Sequence, residues 1–214
     1  MNEEDNWNSY FYKGTNILKN NFDIMDKEKL SEVEYEIVTK KNTLLILDKH
    51  KPQTFDINHL KYIHKYLFED IYPFAGQFRT VNMGKGFMYN FTPFDKIELS
   101  LSEILDNIDN NILEKSRSDM LYAENLAKTY KRLIEIHPFR EDNGRVAREF
   151  IREYVESRNK YFDYDYYIDF NLNDEDKITL EHVPREELYG NLTLVFLDML
   201  NKKEKENQNI VKQM

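Results

Sequence analysis

Residues 137–148 read HPFREDNGRVAR, which places a histidine, a carboxylate, an Asn-Gly pair and two arginines within twelve positions. Pro138 disfavours the α conformation at His137, so a helix arriving from the N-terminal side is expected to stop there. Around Gly144 a helix restarts. The result is helix, tight loop, helix, with His137 at the first exit and a helix N-terminus facing it. Free N–H groups and a partial positive charge suit such an N-terminus to a phosphate. Arg145 and Arg148 are three apart and can share one face of the new helix. Two guanidinium forks beside that terminus make a triphosphate cradle. Glu141 can hold Mg2+ that bridges phosphates, and His137 can take a proton from an attacking hydroxyl. Taken singly, each residue has an ordinary explanation. A His before Pro is usually a helix end, two arginines on a helix are usually a solvated or ion-paired face, and Asp142-Asn143 is a good N-cap pair. Phe139 is expected to turn inward and anchor the loop. Only the conjunction points to phosphate chemistry.

The rest of the sequence supplies elements to position these groups. Residues 26–47 carry Leu30, Val33, Ile37, Leu44 and Leu47 at roughly helical spacing. Residues 56–72 place Ile57, Leu60, Ile63, Leu67 and Ile71 on one helical stripe, with Asp56 as N-cap. Residues 94–114, 118–137, 144–158 and 186–200 read as further helices, and the polar tail 201–214 is expected to fray. Residues 79–92 break the pattern: two β-prone runs flank Gly84-Lys85-Gly86, a hairpin signal. A lone hairpin is marginal by itself, so packing on helices or an incoming strand must hold it.

Composition narrows the class. The chain has 214 residues, 41% hydrophobic and 32% charged, which suits one globular domain. Only 6 Gly and 5 Pro favour helices over a many-stranded fold. With no cysteine, a disulfide scaffold, a thiolate zinc site and a Cys nucleophile are excluded. The net charge of −9 argues against a whole-surface nucleic-acid binder and leaves room for a local basic pocket. No apolar run approaches ~18 residues, and the start MNEEDNWNSYFYKG is acidic rather than signal-like. The expectation is a soluble, cytoplasmic protein with no membrane span.

The segment at 137–148 resembles the signature of the Fic family, His-Pro-Phe-x-(Asp/Glu)-Gly-Asn-Gly-Arg-x-x-Arg. It matches at His137, Pro138, Phe139, Glu141, Asn143, Gly144, Arg145 and Arg148. YFYKGTNILKN near the start and Phe74-Ala75-Gly76, where the family usually has Trp-Ala-Gly, are similar to family segments, and so is EELYGNL near the end. The resemblance covers about residues 10–200. It implies an all-α Fic fold with one β-hairpin flap: a single domain over 1–214, with a core at about 50–160, an N-terminal helical extension at about 10–49 and a C-terminal helix at about 185–200. It also implies an adenylyltransferase moving AMP from ATP, with Mg2+, to a Tyr, Thr or Ser hydroxyl of a target protein. His137 would deprotonate that hydroxyl and Glu141 would bind Mg2+ on the α- and β-phosphates. Asn143 and the backbone around Gly144 would stabilise the α-phosphate, and Arg145 and Arg148 would hold the β- and γ-phosphates. The target would dock on the flap by strand addition, with Lys85 and Phe91 as candidate flap contacts.

One departure matters. Asp142 stands where the family has Gly. At ~4 Å and an effective dielectric of ~20, a carboxylate beside a phosphate charge costs about 4 kcal/mol. Two escapes are open: Asp142 turns outward as an N-cap, or it joins Glu141 on Mg2+. The alternatives to AMP transfer are therefore transfer of a different phosphate-containing group, or a catalytically weakened nucleotide- or partner-binding module. The family's inhibitory pattern Ser/Thr-x-x-x-Glu-(Gly/Asn) is absent. Glu precedes Asn only at Glu124 and Glu206, four residues after Met120 and Lys202. Any inhibitor is then expected as a separate antitoxin-like chain, unless Asp142 itself lowers activity. The oligomeric state is not legible.

Overall fold

Three of the core helices, those over 27–47, 57–68 and 119–136, open on a side chain that caps them. Asp26 accepts from Lys29 N (2.8 Å) at the start of a helix over Lys27–Leu47, and Asp56 from His59 N (2.9 Å) before Ile57–Phe68. Ser118 accepts from Leu121 N (3.3 Å) before Asp119–Ile136. These satisfy donors that a helix start leaves free. The computed structural model describes residues 3–48, 50–86, 89–113, 116–171, 173–183 and 191–205. Its helices in chain order are α1 (Glu3–Ser9), α2 (Lys27–Leu47), α3 (Ile57–Phe68), α4 (Ile97–Leu105), α5 (Ile108–Ile112), α6 (Asp119–Ile136), α7 (Asn143–Arg158), α8 (Asp174–Glu181) and α9 (Leu192–Met199). Two short strands, β1 (Tyr164–Ile168) and β2 (Leu200–Glu204), pair antiparallel with Tyr164 opposite Glu204. The fold is mostly helical, as expected.

Helix α6 is the central element, packed on α9 and α7. Its Tyr122, Leu126, Tyr130 and Leu133 are buried, as are Val146, Phe150, Ile151 and Tyr154 of α7. Burying side chains of this size is what holds the two motif-bearing helices in place. Helix α3 is fixed to α7 by a polar contact inside the core. The Phe55 amide donates to His59 Nδ1 (3.3 Å), which places the ring proton on Nε2, 2.8 Å from Glu153. Lys51 Nζ lies 3.2 Å from the same carboxylate, so the buried charge is compensated.

Four features differ from the sequence expectation. The 94–114 helix is broken into a 3-10 turn at Phe94–Lys96, then α4 and α5. The buried face of α2 is Leu30, Val38 and Leu45, while Leu44 and Leu47 are exposed. Glu34 falls on the inner side and accepts a 2.5 Å bond from the Tyr72 hydroxyl. Residues 201–204 do not fray, because they pair in β2 with β1. In the flap, Gly84 bridges Asn90, and Phe91 N donates to Met83 O (3.0 Å), so the turn comes after Gly84 rather than at it. Phe87 and Met88, much of the expected C-terminal helix (184–190) and the tail 206–214 lie outside the described residues. Among the described residues, no helix is long and apolar enough to cross a membrane.

Candidate active site

Helix α6 ends as Pro138 requires, and it does so through His137 itself. His137 takes the left-handed conformation (φ 50°, ψ 61°), and its N–H caps Leu133 O (3.0 Å). The imidazole is sandwiched under the flap, parallel to the Phe91 ring at 3.7 Å. Its Nδ1 is buried with no hydrogen-bond partner. Burial, reinforced by the Arg79 guanidinium, pushes the ring down to about 3, so in this closed arrangement the imidazole is uncharged at neutral pH and a weak base.

The loop that follows is held from within. Phe139 is fully buried, stacked on His64 at 4.0 Å, and His64 Nδ1 accepts from Gly76 N (2.8 Å). Gly76 has φ 76°, and a Cβ there would lie 2.8 Å from Lys65 Cβ, so this turn needs glycine. Asn143 is buried and spends both polar groups on one residue: Phe139 N donates to Oδ1 (2.8 Å) and Nδ2 donates to Phe139 O (2.9 Å). That closed pair shapes the loop and aims the first turn of α7.

Arg145 comes from that first turn and Arg148 from the second. Both line a cavity of about 560 Å3, with Thr39, Asn42 and Thr43 of α2 opposite them and Asp169, Phe170 and Asn171 beyond β1. Arg148 runs back along the helix, so a Cβ on Gly144 would lie 3.3 Å from its guanidinium. The cavity therefore carries the Arg145 and Arg148 guanidinium groups, with Arg152 beside them paired to Glu149, an arrangement that can receive a polyphosphate.

The loop's two carboxylates do not line that cavity. Glu141 and Asp142 line a separate cavity of about 370 Å3 with Glu34, Tyr72 and Leu30. Asp142 is left-handed (φ 60°, ψ 23°) and occupies the N-cap position of α7 without making a cap hydrogen bond. Its Oδ2 is buried and unpartnered, and Oδ1 is 3.9 Å from Arg145 Nε. Burial, with the negative charge of Glu34 added, pushes Asp142 up to about 7. Glu141 Oε2 accepts from Arg140 (3.2 Å), and its side chain is 47% exposed. Among the described residues no three acidic or histidine groups converge on a metal position. Glu141 thus fits a cation that takes its remaining ligands from phosphate oxygens and water, a usual mode for Mg2+, rather than a cage of protein groups.

The Fic/DOC family profile matches residues 54–155. Over this span the chain is a Fic/DOC-family domain. The chain is 27% identical over 144 residues to the probable protein adenylyltransferase Fic of Escherichia coli, an alignment covering 67% of this chain and 70% of that protein. It is 28% identical over 181 residues to protein adenylyltransferase VbhT of Bartonella schoenbuchensis, covering 85% of this chain and 36% of VbhT. Among solved structures it resembles BepC of Bartonella tribocorum, a translocated effector solved with bound AMPPNP, at 27% identity and a TM-score of 0.75. That match covers 92% of this chain and 98% of BepC.

Within this Fic domain the motif residues gather around one loop, yet two sides of it are served. His137 lies under the flap, Arg145 and Arg148 on the larger cavity, and Glu141 and Asp142 on the smaller one. Of the expected flap contacts, Phe91 covers His137, whereas Lys85 Nζ donates to Glu181 O (3.0 Å) at the end of α8. The N-cap escape for Asp142 is corrected. The position demands φ > 0, which explains the family's glycine there, and the carboxyl turns to Glu34 instead of the helix N–H groups.

Sequence reasoning missed Arg79. It is 2% exposed, and its guanidinium donates to His137 O (2.7 Å), Val81 O (2.6 Å), Ile136 O (3.2 Å) and Thr92 O, while its own N–H donates to Pro138 O (2.9 Å). One side chain thereby bolts both legs of the flap to the loop bearing His137. No local pattern marks such a residue, because its partners are carbonyls distant in sequence.

Proposed function

We propose that this chain is a protein adenylyltransferase, moving AMP from ATP to a Tyr, Thr or Ser hydroxyl of a target protein. The observation that carries the reading is His137. Its ring lies beneath Phe91 of the flap, at the loop that leads directly into α7 and the two arginines of that helix's first two turns. In the reaction, His137 Nε2 takes the proton of the target hydroxyl as its oxygen attacks the α-phosphorus. The bond from that phosphorus to the bridging oxygen of the β-phosphate breaks, and pyrophosphate leaves. A placed base of this kind supplies ~10²–10⁴-fold. Arg145 and Arg148 hold the departing phosphates, and the N–H groups opening α7 face the charge that develops, which supplies several kcal/mol more. Mg2+ bound at Glu141 would neutralise phosphate charge. Main-chain pairing along the flap would present the target, and this mode tolerates varied target sequences. The bound AMPPNP of BepC and the names of the E. coli and VbhT relatives support the same reading.

Asp142 favours attenuation as a second feature of the same function. Its carboxyl faces the smaller cavity, so it does not occupy the arginine-lined one, yet its charge stands at the N-terminus of α7 and weakens the anion site. A partner that regulates the site is proposed as a separate antitoxin-like chain. The test is intact-mass analysis after incubation with ATP and Mg2+, with candidate target extracts and with His137→Ala beside wild type. An AMP-sized gain that vanishes in His137→Ala is expected. A phosphate-sized gain, or an AMP gain that survives in the mutant, would overturn the reading.

A further inference from the structure

The N-terminal segment ahead of the family-matched span contacts both halves of the proposed site, and it does so largely through one side chain. Arg140 fills the variable position of the motif, between Phe139 and Glu141. Its guanidinium is buried among three rings: Trp7 at 4.8 Å, Phe11 at 5.1 Å and Tyr10 at 5.4 Å. Its Nε has no hydrogen-bond partner, and Nη1 reaches Glu141 at 3.2 Å. The guanidinium is therefore held by aromatic faces rather than by a hydrogen-bonded socket, and those faces all belong to residues 7–11. Tyr10 carries a second connection. Its hydroxyl accepts from Thr80 N (3.2 Å), lies 3.3 Å from Thr80 Oγ1, and its ring meets Phe74 edge-on at 5.4 Å. Thr80 directly follows Arg79 at the root of the flap.

We propose that Tyr10 is a positioning residue that sets the register between the flap and the catalytic loop: its hydroxyl fixes the flap root at Thr80, and its ring, with Trp7 and Phe11, fixes Arg140 and through it Glu141. The functional meaning rests on the reading of the flap as the target site and of Glu141 as a nucleotide-side group. The coupling itself does not. Residues 7–11 are thereby part of the site's machinery, although none of them lines the arginine-bearing cavity.

The two arms are separable by substitution. Tyr10→Phe keeps the ring and deletes the two contacts to Thr80. Tyr10→Leu deletes both arms. Amide hydrogen exchange on the full chain reads the coupling without any need for catalysis. In Tyr10→Phe the Thr80 amide is expected to exchange about tenfold faster, with α6, α7 and the melting temperature unchanged. In Tyr10→Leu the loop amides at 140–142 are expected to join it. Kinetics then divide the same way: Tyr10→Phe raises KM for the target several-fold and leaves KM for ATP alone, whereas Tyr10→Leu raises both. Unchanged exchange at Thr80 in Tyr10→Phe, or KM values for target and ATP that rise together in it, would overturn the assignment. A wild-type chain that transfers no AMP would instead sink the proposed function, and the exchange data would still decide the coupling.

Discussion

Replacing Asp142 by glycine should stabilise this protein, and by more at alkaline than at acid pH. The side chain is largely buried, its Oδ2 has no partner, and its carboxyl is pushed up to about 7 by burial and by Glu34. A carboxyl whose folded value lies above its unfolded one (about 3.9) binds more protons in the native state between those two values. Stability then falls as pH rises through that window and is lowest above about 7. At about pH 8 the buried charge costs on the order of 4 kcal/mol, three units at 1.36 kcal/mol each, and at about pH 5.5 roughly 2 kcal/mol. Removing it should therefore gain about 2 kcal/mol more at the higher pH. The pH-independent part is small. Relief of the left-handed backbone, worth ~1 kcal/mol, is offset by the larger entropy glycine loses on folding. For a chain of this size the extra gain is a melting temperature raised by roughly 4–8 °C more at pH 8 than at pH 5.5. Asp142→Asn, which tolerates the left-handed conformation and drops the charge, should follow the same pH pattern. Thermal melts of the three proteins at both pH values are the assay. Equal shifts at the two pH values, or a glycine variant less stable than wild type at pH 8, would refute the buried-charge reasoning. The same neutralisation should raise AMP transfer, since it removes an anion beside the N-terminus of α7.

Other substitutions test the scaffold around the loop. Arg79→Met should cost about 3 kcal/mol or more in urea unfolding, because carbonyls of His137, Val81, Ile136 and Thr92 lose their shared donor. Asn143→Ala should cost roughly 2–3 kcal/mol and reduce AMP transfer, since both Phe139 backbone groups lose their partners; an unaffected melt would show that the loop closes without it. Gly76→Ala should destabilise by about 2 kcal/mol or more in the same unfolding assay, from a strained φ and a contact with Lys65 that backbone must move to relieve.

Much of the fold was legible because its signals are local. Asp56 reads as a cap, Leu60, Ile63 and Leu67 as a buried stripe, and Pro138 as the stop of α6, and each holds in the structure. The helix over 26–47 was legible as a helix while its inner face was not. Glu34 sits on that face only because the Tyr72 hydroxyl, from a different element, meets it. The strand β2 was hidden for the same reason, since a polar run such as Leu200–Glu204 is a strand only when β1 lies beside it.

The sequence by itself determined the chemistry on offer: a histidine before proline, a carboxylate, an Asn-Gly pair and two arginines one helical turn apart, in the order of the Fic signature. Spacing along a helix and the stiffness of proline suffice for that, because both act over a few residues. Where each group points depends on the packing of the helices. That packing turned Asp142 toward Glu34, committed Asn143 to Phe139, laid Phe91 over His137, and made Arg79 and Arg140 the links between flap, loop and N-terminal segment. Apart from the local Asn143–Phe139 pair, these contacts join residues tens of positions apart. Burial, pKa and cation–π geometry depend on what surrounds a group in space, and that environment exists only once the helices have packed.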